Sequence, residues 1–388
     1  MSRGGRRTVI AFAVITVAVA VAITATLNTG NGGHRSVVAA QPAQSTAPSG
    51  CAPSSASPSP PPGQPVAPAA SVTVPGADLI DTKGLVPAAV TETADGAAWA
   101  IVRDPRAAQP DGMVARIDVG THALTEITPV VTGCTATALA AHGTSLWVAS
   151  CNPAATGDTA SGAELIRVDA RGQIGARIAL PTSCVDAVAV GDTTVWATSA
   201  PRSATAPRLF RVNQATGHVD AVPIGAGEQL TGFATLGDDL WSARTTTAGS
   251  RLVRTDGHSI AETNSVATNA VRLLGISGTD LWTEDNQHSA LGAHDTRTGA
   301  LTATVPIPNL QAATVGASGV WFEQASTTSL QITIGHLAGT VPAPVVTFTG
   351  AGPDRTGLPF LGTLTATVHG AWLATQDQLF AIGAAGGP

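Results

Sequence analysis

Residues 142–151 read HGTSLWVASC: a glycine turn, a short apolar run holding Trp147, and a cysteine where the run ends. The same arrangement recurs along the chain. TADGAAWAIV, AVGDTTVWATS, TLGDDLWSAR, GISGTDLWTED, TVGASGVWFEQ and TVHGAWLAT place Trp99, Trp196, Trp241, Trp282, Trp321 and Trp372 in matching settings, so all seven tryptophans follow one another at intervals of 39 to 51 residues. Self-similarity at such a period marks repeated supersecondary units. A ligand box would gather its aromatics at one place. Here there is one Trp per unit, flanked by apolar residues on both sides as in Leu146-Trp147-Val148, which is the pattern of a strand buried on both faces. Trp147 and its counterparts are therefore assigned to packing between units.

Each unit predicts four strands. An alternating small and apolar run such as TATALAA precedes the glycine, the Trp strand follows it, a third strand carries a pattern like LIRVD or LFRVN, and a last strand often ends in proline. The clearest turns between third and fourth strands are NQATG, from Asn213 to Gly217, and DTRTG, from Asp295 to Gly299. An Asn or Asp side chain can bond the backbone two residues on, and glycine accepts positive φ, so both ends of each segment serve a hairpin. A calcium loop would need further acidic ligands that these turns lack.

Residues 71–388 shared among seven units give about 45 each, the size of a four-stranded propeller blade. The expected fold is all-β: a seven-bladed β-propeller over residues 71–388. Its last unit runs out one strand short. Ser71-Val-Thr-Val-Pro75 is expected to supply that strand from the N-terminal side and so remove an open sheet edge.

The strand G-x-x-[LV]-W-V-A followed by [LV]-x-R-[VI]-[DN]-x-x-T-G-x-[LV] resembles the bacterial YncE-type and streptogramin-lyase-like seven-bladed propellers, and more loosely the quinoprotein-like repeats. The resemblance covers residues 71–388 and implies an architecture. It does not imply one activity, because that superfamily includes lyases, lactonases, assembly factors and sensor modules. Lyase-like members carry catalytic His and Glu on these elements, often in a His-Gly-Ile setting. Here His142 and His369 precede turn glycines at the other end of the strand, so those roles do not carry over and both are read as turn residues. Metal-dependent propeller enzymes gather His, Asp or Glu on the central channel. The positions expected there, Thr91, Ala138, Asp186, Gly232, Leu273, Gln311 and Thr365, include one carboxylate. No G-x-S-x-G elbow, H-E-x-x-H helix or Walker loop occurs. No catalytic residue, metal or cofactor is expected, and a metal-dependent lyase or lactonase-like enzyme is the alternative.

Ahead of the repeats, Arg3, Arg6 and Arg7 precede an uncharged run from Thr8 to Leu27, about 20 residues and long enough to span a bilayer. Residues 1–7 are expected in the cytoplasm and 8–27 as a transmembrane signal anchor. A cleaved secretory signal is the alternative, with its best cleavage pattern at Val38-Ala39-Ala40, and either way the chain is exported. Residues 28–70, including SASPSPPPGQPVAPAA, read as a Pro/Ala/Ser-rich disordered stalk.

A net charge of −6 with charged residues at 12 % and no basic patch argues against nucleic acid, whose affinity rests on clustered Lys and Arg. In an exported chain Cys134, Cys151 and Cys184, all expected on one rim, predict a disulfide. Cys134 with Cys151 is the first pairing expected, Cys151 with Cys184 the second, with Cys51 left to Cys184 or another chain. The absence of a C-x-x-C or a nearby His cluster disfavours zinc. That rim also carries long loops between second and third strands. Function is expected there, as a non-catalytic binding or scaffold surface for an envelope protein, peptide or polymer around Asp186, Arg202, Arg208, Glu228, Arg272 and Gln311.

Overall fold

In the computed structural model, the described residues are 75–383 apart from 108–110, 119, 153–161, 200–207, 226, 269–271, 286, 327–330, 350–361 and 376–377. The chain separates into a unit over residues 1–46, which lies wholly outside the described residues, and one over 47–388 that holds the fold. The expected anchor and stalk also lie outside the described residues.

Seven antiparallel four-stranded sheets follow one another along the chain. Blades 1 to 6 occupy residues 86–132, 135–180, 185–222, 229–268, 272–306 and 310–349, each with its strands side by side in chain order. Blade 7 takes three strands from residues 363–383 and its outermost from Ala77–Ile80, which pairs with Leu379–Ile382. The first strand of every blade touches the first strand of the next, and that of blade 7 returns to blade 1, so the sheets close a ring about a central channel.

The closing strand is thus Ala77–Ile80 rather than Ser71–Pro75. Both stretches alternate, but Ala77, Asp78, Leu79 and Ile80 match the ladder of Ile382, Ala381, Phe380 and Leu379, and the alternation places Ile80 in the core at 2 % exposure. Residues 71–74 lie outside the described residues.

Every Trp lies on the second strand of its blade and is at most 5 % exposed. Its face is the one turned to the following blade. Trp99 joins a cluster with Leu146 and Ile166 of blade 2, Trp147 one with Val195 and Phe210 of blade 3, and Trp372 one with Val90 and Ala98 of blade 1. One buried indole at each junction contributes about 4 kcal/mol or more of gross hydrophobic stabilisation, and the repeat period is the spacing of these junctions. Several indole N–H groups also tie neighbours together. Trp196 Nε1 donates to the Asp238 carbonyl of blade 4 at 3.1 Å, and Trp241 Nε1 to the Thr296 carbonyl of blade 5 at 3.0 Å.

The hairpins follow the turn chemistry read from the sequence. Asn213 Oδ1 accepts from the Ala215 and Thr216 backbone N–H groups at 3.1 and 2.9 Å, and Gly217 adopts φ 71°. Asp295 Oδ1 likewise accepts from Arg297 and Thr298, before Gly299 at φ 72°. At the ring closure, Glu92 of blade 1 accepts from Val368 N at 3.0 Å, His369 Nδ1 at 3.1 Å and Trp372 Nε1 at 3.3 Å, all from blade 7. His369 is therefore a turn residue that also helps lock first blade to last.

The disulfide joins Cys151 to Cys184, stapling the second strand of blade 2 to the start of blade 3, and Cys134–Cys151 does not form. The reason is sidedness. Thr135 stands directly opposite Cys151 and shares its face, so Cys134, one residue earlier, turns to the other side of the sheet. There it packs with Trp99, Val130 and Val131 of blade 1. Cys151 and Cys184 instead meet across an isolated antiparallel bridge, reinforced by Asn152 N donating to Ser183 O at 2.8 Å. No described cysteine is a free thiol.

Candidate binding surface

The end of the channel that carries the connections between second and third strands has a repeated backbone irregularity. The ladder between first and second strands slips near its start in six blades, at Ala88, Thr137, Asp186, Thr231-Gly232, Leu274 and Gln311. A bulge leaves a residue unpaired and re-aims its side chain, and such bulges gather at rims and binding sites. The residue type at the bulge does not repeat, in contrast to the Trp. Small apolar, hydroxyl, acidic, glycyl, leucyl and amide groups follow one another around the mouth.

Beside this ring lies a cavity of about 440 Å3 reached from the channel, lined by Val188, Phe233, Arg272, Leu273, Thr314 and Thr363 among others. Its size is that of a small-ligand pocket. Of the positions expected to face the channel, Gly232 and Leu273 line it. Gly232 is required there: its φ is 137°, and a Cβ would stand 2.1 Å from the Leu273 carbonyl oxygen of the next blade.

The residues singled out on the rim have different fates. Asp186 and Gln311 are exposed in their bulges, Asp186 accepting from Thr198 Oγ1 at 2.6 Å and Gln311 Nε2 reaching the Asn309 carbonyl at 3.4 Å. Arg272 lines the cavity, donates to the Ala313 carbonyl of blade 6 at 2.8 Å, and pairs at 2.8 Å with Glu284. Arg208 stays exposed at the entrance to the third strand of blade 3, its Nη1 3.2 Å from the Pro181 carbonyl. Arg202 lies outside the described residues, as do most of the long loops of blades 2 and 3 and of the connection into blade 7.

Glu228 is not an open rim residue. It is 8 % exposed and lies in an ion network with Arg251 at 2.6 Å, Arg244 at 3.5 Å and the Gly225 N–H at 3.0 Å; Glu262 completes the network through both arginines. Burial opposes its ionisation, but the Arg251 hydrogen bond, the Gly225 N–H and the two guanidinium charges prevail and hold its carboxyl below the usual glutamate value.

Two acids that sequence analysis passed over occupy equivalent places two residues after the Trp. Glu284 of blade 5 is 1 % exposed, and burial outweighs Arg272 to hold its carboxyl above the usual range. Glu323 of blade 6 is fully buried, its two oxygens have no hydrogen-bond partner among the described residues, and desolvation pushes it up to about 7. It stands opposite Ala312, the residue after the Gln311 bulge and part of the cavity wall. Among the described residues no three His, Cys, Asp or Glu side chains converge as metal ligands.

The architecture is shared with solved structures, at low identity. A chain of the mitotic checkpoint complex matches over 83 % of this chain and 95 % of its own length, with TM-score 0.53 and 12 % identity. The Cps50 (Swd1) β-propeller domain of Myceliophteria thermophila matches over 79 % and 98 %, with TM-score 0.56 and 13 % identity, and Kuenenia stuttgartiensis hydrazine synthase over 83 % and 99 %, with TM-score 0.52 and 12 % identity. No protein-family model matches the sequence, and no curated protein matches it either. The chain is a seven-bladed β-propeller of four-stranded blades, a fold compatible with a binding or scaffold role.

Proposed function

We propose that this propeller is a non-catalytic binding or scaffold module, held outside the membrane by its N-terminal segment, which engages an envelope protein, peptide or polymer at the loop-bearing mouth of the channel. One observation carries it: the six bulges set chemically different side chains, Asp186 and Gln311 among them, at one structural position around a rigid ring. The Cys151–Cys184 bond beneath that rim suits an oxidising compartment. The arginines before residues 8–27 supply the orientation that places the ring outside. Residence of one structural neighbour in a mitotic checkpoint complex supports a protein partner. The strand signature G-x-x-[LV]-W-V-A favours a place among the YncE-type propellers.

The test is chemical cross-linking of the full chain in its native envelope, with the attachment points mapped by mass spectrometry. Links concentrated on the bulged rim, and lost in an Asp186→Lys/Gln311→Lys double variant, are expected. Links confined to the opposite face would overturn the assignment. A stoichiometric divalent ion whose chelation lowers the melting temperature would move the function to the metal-dependent enzyme instead.

A further inference from the structure

Blade 5 breaks the repeat on the face it turns toward blade 4. Aligning third strands on the turn residue that follows them, the position three before Asp118, Asp169, Asn213 and Asp256 holds Ala115, Ile166, Phe210 and Val253, whereas before Asp295 it holds Gly292. The position one before holds Ile117, Val168, Val212 and Thr255 in those blades and His294 in blade 5. Blade 6 also has a glycine, Gly335, but there Phe322 on the adjacent strand takes up the space, its Cζ 2.2 Å from where a Cβ would be. At Gly292 the space is taken by polar groups instead, Thr283 Oγ1 lying 2.8 Å and His294 Nε2 3.2 Å from where a Cβ would be.

Beside these polar groups lies a cavity of about 630 Å3 between blades 4 and 5, within the range of small-molecule pockets. Thr283, Gly292 and Thr304 lie side by side across three strands on its floor. Ser250 and Thr268, paired on the face of blade 4 turned to blade 5, form the facing wall, and Asp285 with His288 stands at one end, their side chains 2.7 Å apart.

The buried polar pair is ordered for accepting hydrogen bonds. His294 Nδ1 lies 3.0 Å from the Gly299 carbonyl and must donate to it, so Nε2, at 3.1 Å, accepts the Thr283 hydroxyl proton. Burial holds the imidazole below its usual value despite the Gly299 carbonyl, and His294 is neutral. Thr283 Oγ1 then has a lone pair to offer. The Thr304 hydroxyl makes no hydrogen bond among the described residues, while Leu301 contributes apolar surface.

Among the described residues the lining has no Lys or Arg and one carboxylate, Asp285. An anionic ligand would be desolvated there without a counter-charge. We propose that this interblade cavity binds a neutral, hydroxyl-rich ligand with an apolar face, a saccharide of one or two rings, whose hydroxyls bond Thr283, Thr304 and Asp285 while its C–H face rests on Leu301. No bulged residue lines it, although Ala248, Asp285 and His288 belong to the same loop-bearing face.

Saturation-transfer difference NMR on the full chain in detergent tests it, with glucose, N-acetylglucosamine and maltose as probes at millimolar concentration. At least one probe is expected to receive saturation at its ring protons. Ser250→Leu fills the cavity from the blade 4 face turned to it, and Thr304→Val removes a hydroxyl at constant shape. Each is expected to weaken that binding about tenfold, with the wild-type melting temperature retained as the check on folding. Transfer to none of the three sugars, or transfer undiminished in both folded variants, would overturn the proposal.

Discussion

Replacing Glu323 by glutamine separates the cost of a buried charge from everything else in the ring. The wild-type carboxyl has a folded value of about 7 against an ordinary 4.5, so the native state binds this proton more tightly than the unfolded chain does. Its sign follows directly. Stability from this group is fully present below about pH 4.5, falls as pH rises through about 7, and is lost above. The gap between the two values corresponds to about 3 kcal/mol by pH 8. Glutamine keeps the shape and cannot ionise. It leaves amide groups without partners, as the protonated acid does, but that cost does not vary with pH. Urea unfolding of both proteins from pH 5 to 8 is the assay, read as the difference between them so that all other titrating groups cancel. The stability of Glu323→Gln relative to wild type should climb by about 2.5 kcal/mol across that range, part of the loss being complete by pH 5. A difference that stays flat would mean the carboxylate is solvated or paired in the native protein, and the desolvation argument would fail.

Other parts of the fold can be tested as directly. Cys151→Ser/Cys184→Ser opens a cross-link between residues 33 apart and should lower stability by about 3 to 4 kcal/mol under non-reducing conditions; peptide mapping of the wild type should recover the 151–184 bridge and no 134–151 bridge. Glu92→Ala removes the acceptor for three blade 7 donors and should cost about 2 kcal/mol, with amide exchange accelerating first in Ala77–Ile80 and Leu379–Gly383. Gly232→Ala would place a Cβ against the Leu273 carbonyl at positive φ and should destabilise by at least about 2 kcal/mol; a neutral result would disprove the close approach of those inner strands.

The fold was legible because its core is one contact made seven times. A tryptophan facing the next blade has to recur with the blade, so the period showed in Trp99 to Trp372 before any strand was placed. The closing strand was harder to locate. Alternation identifies a strand, but only a partner fixes its register, and the partner of Ala77–Ile80 lies about 300 residues away. Sidedness defeated the cysteine pairing for a related reason. Cys134 and Cys151 belong to one hairpin, yet a single residue of offset turns them to opposite faces. Glu228, Glu284 and Glu323 were obscured in another way, since a charged residue reads as surface unless its neighbours in space are known. Gly292 and His294 had a signal that was available: set against Phe210 and Val212 in the same strand position, they are visibly out of pattern.

The strand Ala77–Ile80 has a mechanical consequence. It is the noncovalent seam that ties the N-terminal side of the chain into the last blade, and it is the first strand among the described residues. Tension arriving from that side is borne by four residues of ladder before it reaches any blade as a whole. Peeling them away would leave blade 7 with three strands and a free edge along Leu379–Ile382, while Trp372 and Glu92 still hold it to blade 1. How far the propeller resists a pull therefore depends on its shortest strands, while the tryptophan junctions, strong as they are, carry load only after the seam has opened.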